Sequence, residues 1–271
     1  MPSAKLTSII VTTYNWPKAL KLVLLSLNNQ TESNFEVIIA DDGSNDETVE
    51  MIQGLSSELN YLFKHIWQED TGFRAARSRN KAVLASEGDY LIFLDGDCIV
   101  RPDFVHQHLR LRQKGWLIRG NRVKLSNRYT IKLLDSGTIY ELTDTIKLLK
   151  HWVKREVKRF LPLARIPIGP IRKLKKKQWK GVKTCNLSLY RNDFVAVNGF
   201  NESFEGWGHE DADLAIRLIR NNVYRIEGTY ATTVFHCYHN EQDRVNEEKN
   251  RQMLEQSYQG EIKPKKGLYS L

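Results

Sequence analysis

Short apolar runs alternate with helical patterns in the first part of the chain. Residues 6–12, 35–40 and 90–94 are rich in Val, Ile and Leu, as in strands that are buried on both faces of a parallel sheet. After the first run, apolar residues recur at helical spacing behind Pro17, which suits the first turn of a helix. The alternation predicts an α/β, Rossmann-like fold with a mostly parallel central sheet flanked by helices.

The remaining elements are less regular. Further predicted strands lie at 61–67, 116–123 (with a turn), 182–190 and 230–235. Further helices are predicted after residues 46, 74, 102, 192 and 210 and from Thr138 to Phe160. We expect one domain at 1–240 with a basic, partly helical insertion at about 130–180, and then a polar helical tail at 241–271.

Polar side chains follow three of the first four predicted strands. Asn15 comes after the first strand, Asp41 and Asp42 after the second, and Asp95 and Asp97 after the strand at 90–94. Carboxyl ends of parallel strands meet at one edge of a sheet, where open α/β sheets bind ligands. Two carboxylates around a glycine suit a divalent cation that holds a diphosphate. For an isolated Asp-x-Asp, a simple acidic turn is the alternative.

Composition narrows the class of protein. The apolar fraction of 41% and the charged fraction of 27% are typical of a soluble globular protein. No apolar stretch approaches the roughly 20 residues of a bilayer-spanning helix, and the amino terminus has no signal-peptide pattern. The cysteines Cys98, Cys185 and Cys237 are scattered without CxxC spacing, so we expect free thiols. A cytoplasmic protein is the expectation.

The positive charge is concentrated in one segment. The net charge is +9, and between Lys147 and Lys180 there are thirteen Lys or Arg residues against one acid, Glu156. An apolar stripe runs through the same segment: Leu149, Trp152, Val153, Val157, Phe160 and Leu161. Such a stretch can lie on an anionic membrane, with each cation contributing about 1 kcal/mol. The alternative is a solvated helix whose stripe packs on the domain. Both interpretations stay open.

A second stretch with candidate chemistry is Gly206-Trp-Gly-His-Glu-Asp211. Two glycines around Trp207 predict a turn that exposes an aromatic face. Glu210 and Asp211 then fall in the first turn of a helix, where the helix dipole stabilises carboxylates whatever their role. An aromatic platform beside a carboxylate suits a sugar ring next to a general base.

Two histidines and three arginines complete the candidate residues. His236 and His239 follow the last predicted strand, and with an Asp-x-Asp elsewhere one imidazole would help to hold Mn²⁺ or Mg²⁺. Taken alone, such a histidine pair is more often a surface or core feature. Arg74, Arg77 and Arg79 crowd the start of a helix, where one or two could reach a diphosphate.

Seven motifs in order resemble those of glycosyltransferase family 2, which has the GT-A fold. The motifs are Val11-Thr-Thr-Tyr-Asn15, Ala40-Asp-Asp-Gly-Ser44, Arg79-Asn80, Leu94-Asp-Gly-Asp97, Gly199-Phe200, Gly206-Trp-Gly-His-Glu-Asp211 and a late His-x-x-His. The Trp-Gly-x-Glu-Asp portion also looks like that of the chondroitin polymerase and β-1,4-galactosyltransferase groups. The resemblance runs from about Ser8 to His239, and the segment 130–180 matches no motif of the family.

The resemblance implies a role for each matching residue. Thr13, Tyr14, Asn15 and Asp41 or Asp42 would bind the nucleotide, around the uracil and ribose, and Arg79 would approach it. Asp95 would touch ribose or metal, and Asp97 with a histidine would hold Mn²⁺ or Mg²⁺; His236 is favoured and His239 is the alternative. Asp211 would be the general base, Glu210 would accept a hydrogen bond from a sugar hydroxyl, and Trp207 would stack on the donor or the acceptor sugar. Cys98 stands where many relatives carry another acid or a small residue, and has no assigned role.

The implied activity is inverting, metal-dependent transfer of a sugar from a UDP-sugar to a hydroxyl of a glycan or glycolipid, as in lipopolysaccharide or capsule synthesis. The basic segment 147–180 would make peripheral contact at the inner face of the cytoplasmic membrane. A nucleotidyltransferase is the first rival, but Thr12-Thr-Tyr-Asn15 offers no glycine-rich, lysine-bearing loop. A non-catalytic polyanion binder is the second, but it has no use for acids at three strand ends, and we expect no nucleic-acid partner.

Overall fold

A computed structural model describes residues 6–240 and 245–269. The first four residues of the predicted tail, 241–244, lie outside the described residues, as do 1–5 and 270–271. The strands are β1 (Thr7–Thr13), β2 (Phe35–Asp41), β3 (Leu62–Trp67), β4 (Tyr90–Asp95), β5 (Cys98–Ile99), β6 (Trp116–Arg119), β7 (Arg122–Lys124), β8 (Asn186–Tyr190), β9 (Tyr224–Glu227) and β10 (Val234–His236).

Helices connect and cover these strands. They are α1 (Pro17–Asn28), α2 (Asp46–Leu55), α3 (Ala75–Ala85), α4 (Phe104–Leu111), α5 (Asn127–Ser136), α6 (Tyr140–Thr143), α7 (Thr145–Val153), α8 (Arg191–Ala196), α9 (Glu210–Arg220) and α10 (Glu247–Ser257). Within the described residues, no helix has the length and hydropathy needed to cross a bilayer.

The central sheet has seven strands in the order β3-β2-β1-β4-β8-β6-β9. Strands β3, β2, β1 and β4 are mutually parallel, and β8 is antiparallel to both of its neighbours. Ile9 and Val11 of β1 face one hydrophobic core, whereas Ile10 between them faces the other, because side chains alternate along a strand. The predicted α/β fold with a mostly parallel sheet is confirmed.

Sheet register brings the polar strand ends to one edge. Thr13 lies opposite Asp41, and Thr12 lies opposite Asp95. The prediction of a shared edge is therefore confirmed. A second, small sheet of order β5-β10-β7 lies just beyond it, and it begins with the residue that follows Asp97.

Two predicted elements differ from the structure. The segment 116–123 divides at Gly120 and Asn121, so that β6 belongs to the central sheet and β7 to the small sheet. The long helix predicted from Thr138 to Phe160 is wrong, because the carboxylate of Asp144 caps a new helix, α7, by accepting the amides of Ile146 and Lys147. Beyond α7 the chain turns back, and Val157 pairs with Leu125.

Candidate active site

One half of the candidate site is formed where β5 pairs with β10. Cys98 lies opposite His236 in this antiparallel pair, so Asp97, one residue earlier, reaches the end of β10. The Oδ2 atom of Asp97 is 3.5 Å from Nε2 of His236 and 3.4 Å from Nε2 of His239. The fold thus brings Asp97 and both candidate histidines together, although they are far apart in the sequence.

The chemistry of these side chains fits a divalent cation. Nδ1 of His239 donates to the carbonyl oxygen of Asn240 at 2.6 Å, so in the neutral ring the lone pair of Nε2 faces the carboxylate of Asp97. Burial lowers the pKa of His236 to about 3, which keeps this ring neutral. Burial, reinforced by the charge of Asp95, raises the pKa of Asp97 to about 7. A cation between these groups would compensate buried negative charge that the nearby cation of Arg122 only partly offsets.

Both histidines remain candidate metal ligands, and the thiol of Cys98 lies beside His236. His236 is 7% exposed, and the side chain of His239 is 36% exposed and meets the ring of Trp16 edge-on at 5.9 Å. The Cys98 thiol donates to Oδ1 of Asp97 at 3.4 Å, and ligand atoms of Asp97, Cys98 and His236 lie within 4.8 Å of one another. Burial raises the pKa of the Cys98 thiol, so it stays protonated in the absence of a metal.

Gly96 explains the spacing of the two carboxylates. Its amide donates to the carbonyl oxygen of Thr12 at 2.7 Å, and a Cβ atom at this position would lie 2.9 Å from that oxygen. Only glycine allows the chain to turn this tightly against β1. The turn directs Asp95 towards the central sheet and Asp97 towards the small sheet.

The other half of the site lies at the start of α9. Gly206, Gly208 and His209 all have left-handed backbone conformations, with φ of +76°, +103° and +76°. These turns place Trp207, half-buried, on a loop just before Glu210 and Asp211 open the helix. The hydroxyl of Thr184 donates to Oδ1 of Asp211 at 2.6 Å, which orients the carboxylate of the candidate base.

Arg79 joins the two halves. Its side chain is 5% exposed, and its Nε donates to the hydroxyl of Thr12 at 3.0 Å. One terminal nitrogen lies 3.3 Å from Oδ1 of Asp95, and the other lies 3.2 Å from Oε1 of Glu210 and 4.0 Å from Oδ1 of Asp211. A single guanidinium therefore neutralises carboxylates from both halves. The resemblance implies that Arg79 approaches the nucleotide. In the structure its guanidinium is instead buried among the carboxylates of Asp95, Glu210 and Asp211.

The balance of charge at this junction is negative. Burial and the neighbouring charge of Asp211 raise the pKa of Glu210 to about 7, and Arg79 only partly offsets them. Burial and the charge of Asp211 also raise the pKa of Asp95. Such raised carboxylate pKa values are common where a site binds cations or transfers protons.

The candidate nucleotide-binding residues line the carboxyl ends of β1 and β2. Thr13 is buried, Tyr14 is 46% exposed, and its hydroxyl donates to Oδ2 of Asp70 at 2.8 Å. Asn15, with φ of +45°, accepts the amide of Asn45 through its side chain. The Tyr14 ring is therefore exposed, and the hydrogen bonds with Asp70 and Asn45 fix the turn that carries it.

The two acids after β2 already have protein partners. Asp41 accepts from Nε2 of His65 and from the amide of Ser44, both at 2.8 Å; although burial opposes them, these contacts lower the pKa of Asp41. Asp42 accepts from Gln68 at 2.6 Å, and burial raises the pKa of Asp42 to about 6. Both carboxylates hold the surrounding loops in place.

Helix α10 closes over the loop that carries Trp207. The side-chain amide of Asn250, a fully buried residue, donates to the carbonyl oxygens of Glu205 at 3.0 Å and Gly208 at 3.2 Å. Farther along, Ser257 donates to Asp213 of α9 at 2.6 Å. The described part of the polar tail is thus attached to the same loop as the candidate sugar platform.

Sequence reasoning did not identify several of these residues. Thr184 contacts Asp211, Asp70 contacts Tyr14, and Asn250 holds the Trp207 loop. Thr184 and Asn250 stand in no motif, whereas Asp70 follows the predicted strand at 61–67 by three residues, as Asn15 follows the first strand. That position after a predicted strand was the signal that could have found Asp70; Thr184 lies between Lys183 and Cys185 and gave no such signal.

Comparisons with known proteins agree with this geometry. The family model "Glycosyl transferase family 2" matches residues 8–194, and a model described as "N-terminal domain of galactosyltransferase" matches residues 172–240. The chain belongs to glycosyltransferase family 2. The resemblance of the sequence motifs to this family is therefore confirmed, and the second match covers the Trp-Gly-x-Glu-Asp stretch.

Curated relatives of this family 2 domain include two named enzymes. Validoxylamine A glucosyltransferase of Streptomyces hygroscopicus subsp. jinggangensis is 29% identical over 80% of this chain and 52% of its own length. Chondroitin synthase of Escherichia coli is 27% identical over 90% of this chain and 36% of its own length. The chain spans about half or less of the length of these relatives.

The GT-A fold is confirmed by structural similarity. Mannosyltransferase PcManGT from Pyrobaculum calidifontis, solved in complex with GDP-Man and Mn²⁺, superposes with a TM-score of 0.56 over 85% of this chain and 56% of that chain. Sequence identity is 14%, so this likeness concerns the fold alone. The chain is thus a glycosyltransferase domain of GT-A architecture.

Proposed function

We propose that this family 2 glycosyltransferase transfers a sugar from a UDP-sugar to a hydroxyl group of a glycan or glycolipid, with inversion at the anomeric carbon. The observation that carries the proposal is the continuous site joined by Arg79. Asp97 and two histidines lie at one end, and Glu210 and Asp211 lie at the other. This arrangement suits a donor diphosphate and an acceptor hydroxyl that meet in a single displacement.

Asp211 acts as the general base in this proposal. Among the described residues, Thr184 and Arg79 both contact its Oδ1 atom, and its side chain is 21% exposed, so Oδ2 is available to a substrate. Asp211 takes the proton of the acceptor hydroxyl as the oxygen attacks the anomeric carbon. The bond between that carbon and the β-phosphate oxygen breaks on the opposite face, and the nucleotide diphosphate leaves with the electron pair. Glu210 accepts a hydrogen bond from the acceptor sugar.

Asp97 and His236, or His239 in its place, would hold Mn²⁺ or Mg²⁺. When bound, the cation would neutralise charge that develops on the departing diphosphate. The match of ligand types supports this assignment, since carboxylate and imidazole together suit Mn²⁺. The presence of Mn²⁺ in the mannosyltransferase of the same fold is consistent with it.

Thr13, Tyr14, Asn15, Asp41 and Asp42 form the nucleotide end of the site in this proposal. The exposed ring of Tyr14 would stack on the uracil, and Asp95 would contact the ribose or the metal. The carboxylates of Asp41 and Asp42 already accept protein hydrogen bonds, so each would contact the nucleotide only through an oxygen lone pair that remains available. Trp207 would form the platform for a sugar ring.

The acceptor is a surface glycan or its lipid-linked precursor, such as lipopolysaccharide or capsule. Two observations support this acceptor class: the E. coli relative is named a chondroitin synthase, and the segment 147–180 of this chain is strongly basic. A basic segment would bring the domain to an anionic membrane surface where a glycolipid acceptor resides. We accordingly place the enzyme in the cytoplasm, in peripheral contact with the membrane.

The test compares the wild type with Asp211→Asn in two measurements. A panel of UDP-sugars and GDP-mannose is first screened with Mn²⁺ for thermal stabilisation, because a ligand of the native state raises its stability. With the best donor, we expect Asp211→Asn to lose sugar transfer by about 100-fold or more, while UDP and Mn²⁺ bind as to the wild type. Retained transfer would exclude Asp211 as the base, and stabilisation only by GDP-mannose would exclude UDP.

A further inference from the structure

Helix α7 has one side that packs on the domain and an apolar side that none of the described residues 6–240 and 245–269 covers. Leu148 is 1% exposed and His151 is 7% exposed, with the His151 ring lying 4.4 Å from the ring of Tyr129. In contrast, Ile146 and Val153 are each 70% exposed and Leu149 is 45% exposed. The spacing of these three residues places them on one side of the helix.

Aromatic residues widen the exposed face. Trp152, three positions after Leu149, is 45% exposed, and its ring lies 6.0 Å from that of Phe160. Leu161, the next residue, is 60% exposed. We call the four exposed residues Ile146, Leu149, Trp152 and Val153 the α7 face. A contiguous exposed apolar surface usually marks an interaction site, whereas single exposed apolar residues are common on any protein.

Cations border the α7 face. Lys150 and Lys154 are exposed on the neighbouring side of the helix, and residues 145–161 contain six Lys or Arg against the single acid Glu156. The carboxylate of Glu156 is turned inward, where it contacts Nδ1 of His151 at 2.7 Å. The surface therefore combines an apolar centre, a tryptophan and a basic border, which is the pattern of a helix lying in a membrane interface.

The second half of the basic segment is attached to the domain instead. Arg172 donates to the carbonyl oxygens of Glu227 and Thr229 at 2.7 Å. The ammonium groups of Lys173 and Lys176 lie over the rings of Trp116 and Tyr224, at 4.6 and 5.6 Å. These cations contact the edge strand β9, its neighbour β6 and the turn after β9, so membrane contact does not follow from positive charge alone.

We propose that the α7 face docks on an anionic lipid bilayer, with Trp152, Val153, Leu149 and Ile146 entering the interface and Lys150 and Lys154 contacting lipid phosphates. The proposal specifies the membrane contact named in the proposed function. Because its test measures vesicle binding and not sugar transfer, failure here would leave the transferase assignment standing.

The experiment measures cosedimentation of the full chain with vesicles of phosphatidylcholine alone and with added phosphatidylglycerol. We expect binding to the anionic vesicles only. Trp152→Ser with Val153→Ser, and separately Lys150→Gln with Lys154→Gln, should each reduce the partition coefficient about tenfold or more. The variants replace exposed side chains, so melting temperature and UDP binding should stay at wild-type values.

Two matched controls remove the same kinds of side chain from the other half of the segment. Ile171→Ser with Leu174→Ser removes two exposed apolar residues, which are 60% and 78% exposed, and Lys175→Gln with Lys177→Gln removes two exposed cations. Both controls should keep partitioning within about threefold of the wild type. An equal loss in the controls, or no binding of the wild type to anionic vesicles, would overturn the proposal. The proposal would also fail if an α7-face variant bound vesicles like the wild type but had a lower molar mass in light scattering. In that case the α7 face would bind a second copy of the chain.

Discussion

Replacement of Glu210 by glutamine should stabilise the protein, and the gain should grow with pH. The carboxylate is buried beside Asp211, and its pKa rises from the ordinary 4.5 to about 7. A group with a raised pKa in the folded state holds its proton more tightly there than in the unfolded chain, so stability falls as pH rises between the two values. The glutamine has no charge to lose, and its side-chain oxygen can still accept from Arg79.

The magnitude follows from the size of the shift. Each pKa unit corresponds to about 1.4 kcal/mol, so the ionised carboxylate costs on the order of 3 kcal/mol at pH 8 and nothing below pH 4.5. Urea unfolding of the wild type and Glu210→Gln, without metal or nucleotide, should give similar free energies at pH 4.5 and a higher value for the variant at pH 8. Activity should fall, because Glu210 binds the acceptor in the proposed mechanism.

Glu205→Gln is the control, since its carboxylate is 43% exposed on the loop that precedes α9. Its unfolding free energy should track the wild type across this pH range. If the difference between Glu210→Gln and the wild type were the same at pH 4.5 and pH 8, the pKa of Glu210 would not be raised in the folded protein. A difference of the opposite sign would show that the contact with Arg79 outweighs desolvation.

Three further predictions concern residues around the site. Thr184→Val should lower turnover by about 10- to 100-fold with UDP affinity unchanged, because it removes a hydrogen bond to the charged carboxylate of Asp211. Thr184→Ser keeps the hydroxyl and should retain most activity. Equal losses in both variants would show that Thr184 acts through packing. Calorimetry should show that His236→Ala weakens Mn²⁺ binding at least about tenfold and more than His239→Ala does; the reverse order would make His239 the ligand. Asn250→Ala should raise the acceptor KM about tenfold without changing donor binding, because Asn250 holds the loop that carries Trp207. Arg251→Ala, on the exposed side of α10, should change neither quantity. Loss of donor binding in Asn250→Ala would indicate general unfolding.

Local patterns were sufficient for the first half of the fold. The runs at 6–12, 35–40 and 90–94 are buried on both faces, so each reads as a continuous apolar strand, and right-handed crossovers then require their carboxyl ends to share an edge. This is why Asp41 and Asp95 were expected at one edge, and the pairing of Thr13 with Asp41 and of Thr12 with Asp95 confirms that edge. The motifs were also sufficient to identify the family.

Edge elements were less predictable. Strand β9, Tyr224–Glu227, was not predicted: Tyr224 and Ile226 alternate with Arg225 and Glu227, but a run of four residues is too short for this alternation to distinguish a strand from a loop. The helix predicted from Thr138 to Phe160 failed because helical spacing continues past Asp144, whereas the side chain of that residue ends one helix and caps the next. Periodicity does not detect a cap inside an apolar pattern.

By itself, the sequence determined which side chains were available for catalysis and metal binding and, through the parallel strands, which of them share an edge. Only the tertiary structure decided that β10 pairs with β5, which brings His236 to Asp97, and that Arg79 lies between Asp95 and Glu210. Only the structure also shows that the outer face of α7 is left uncovered while Val157 is buried. The reason is physical: hydrophobic periodicity reports whether a side chain is buried, but the partner that buries it is set by strand order and register between segments distant in the chain.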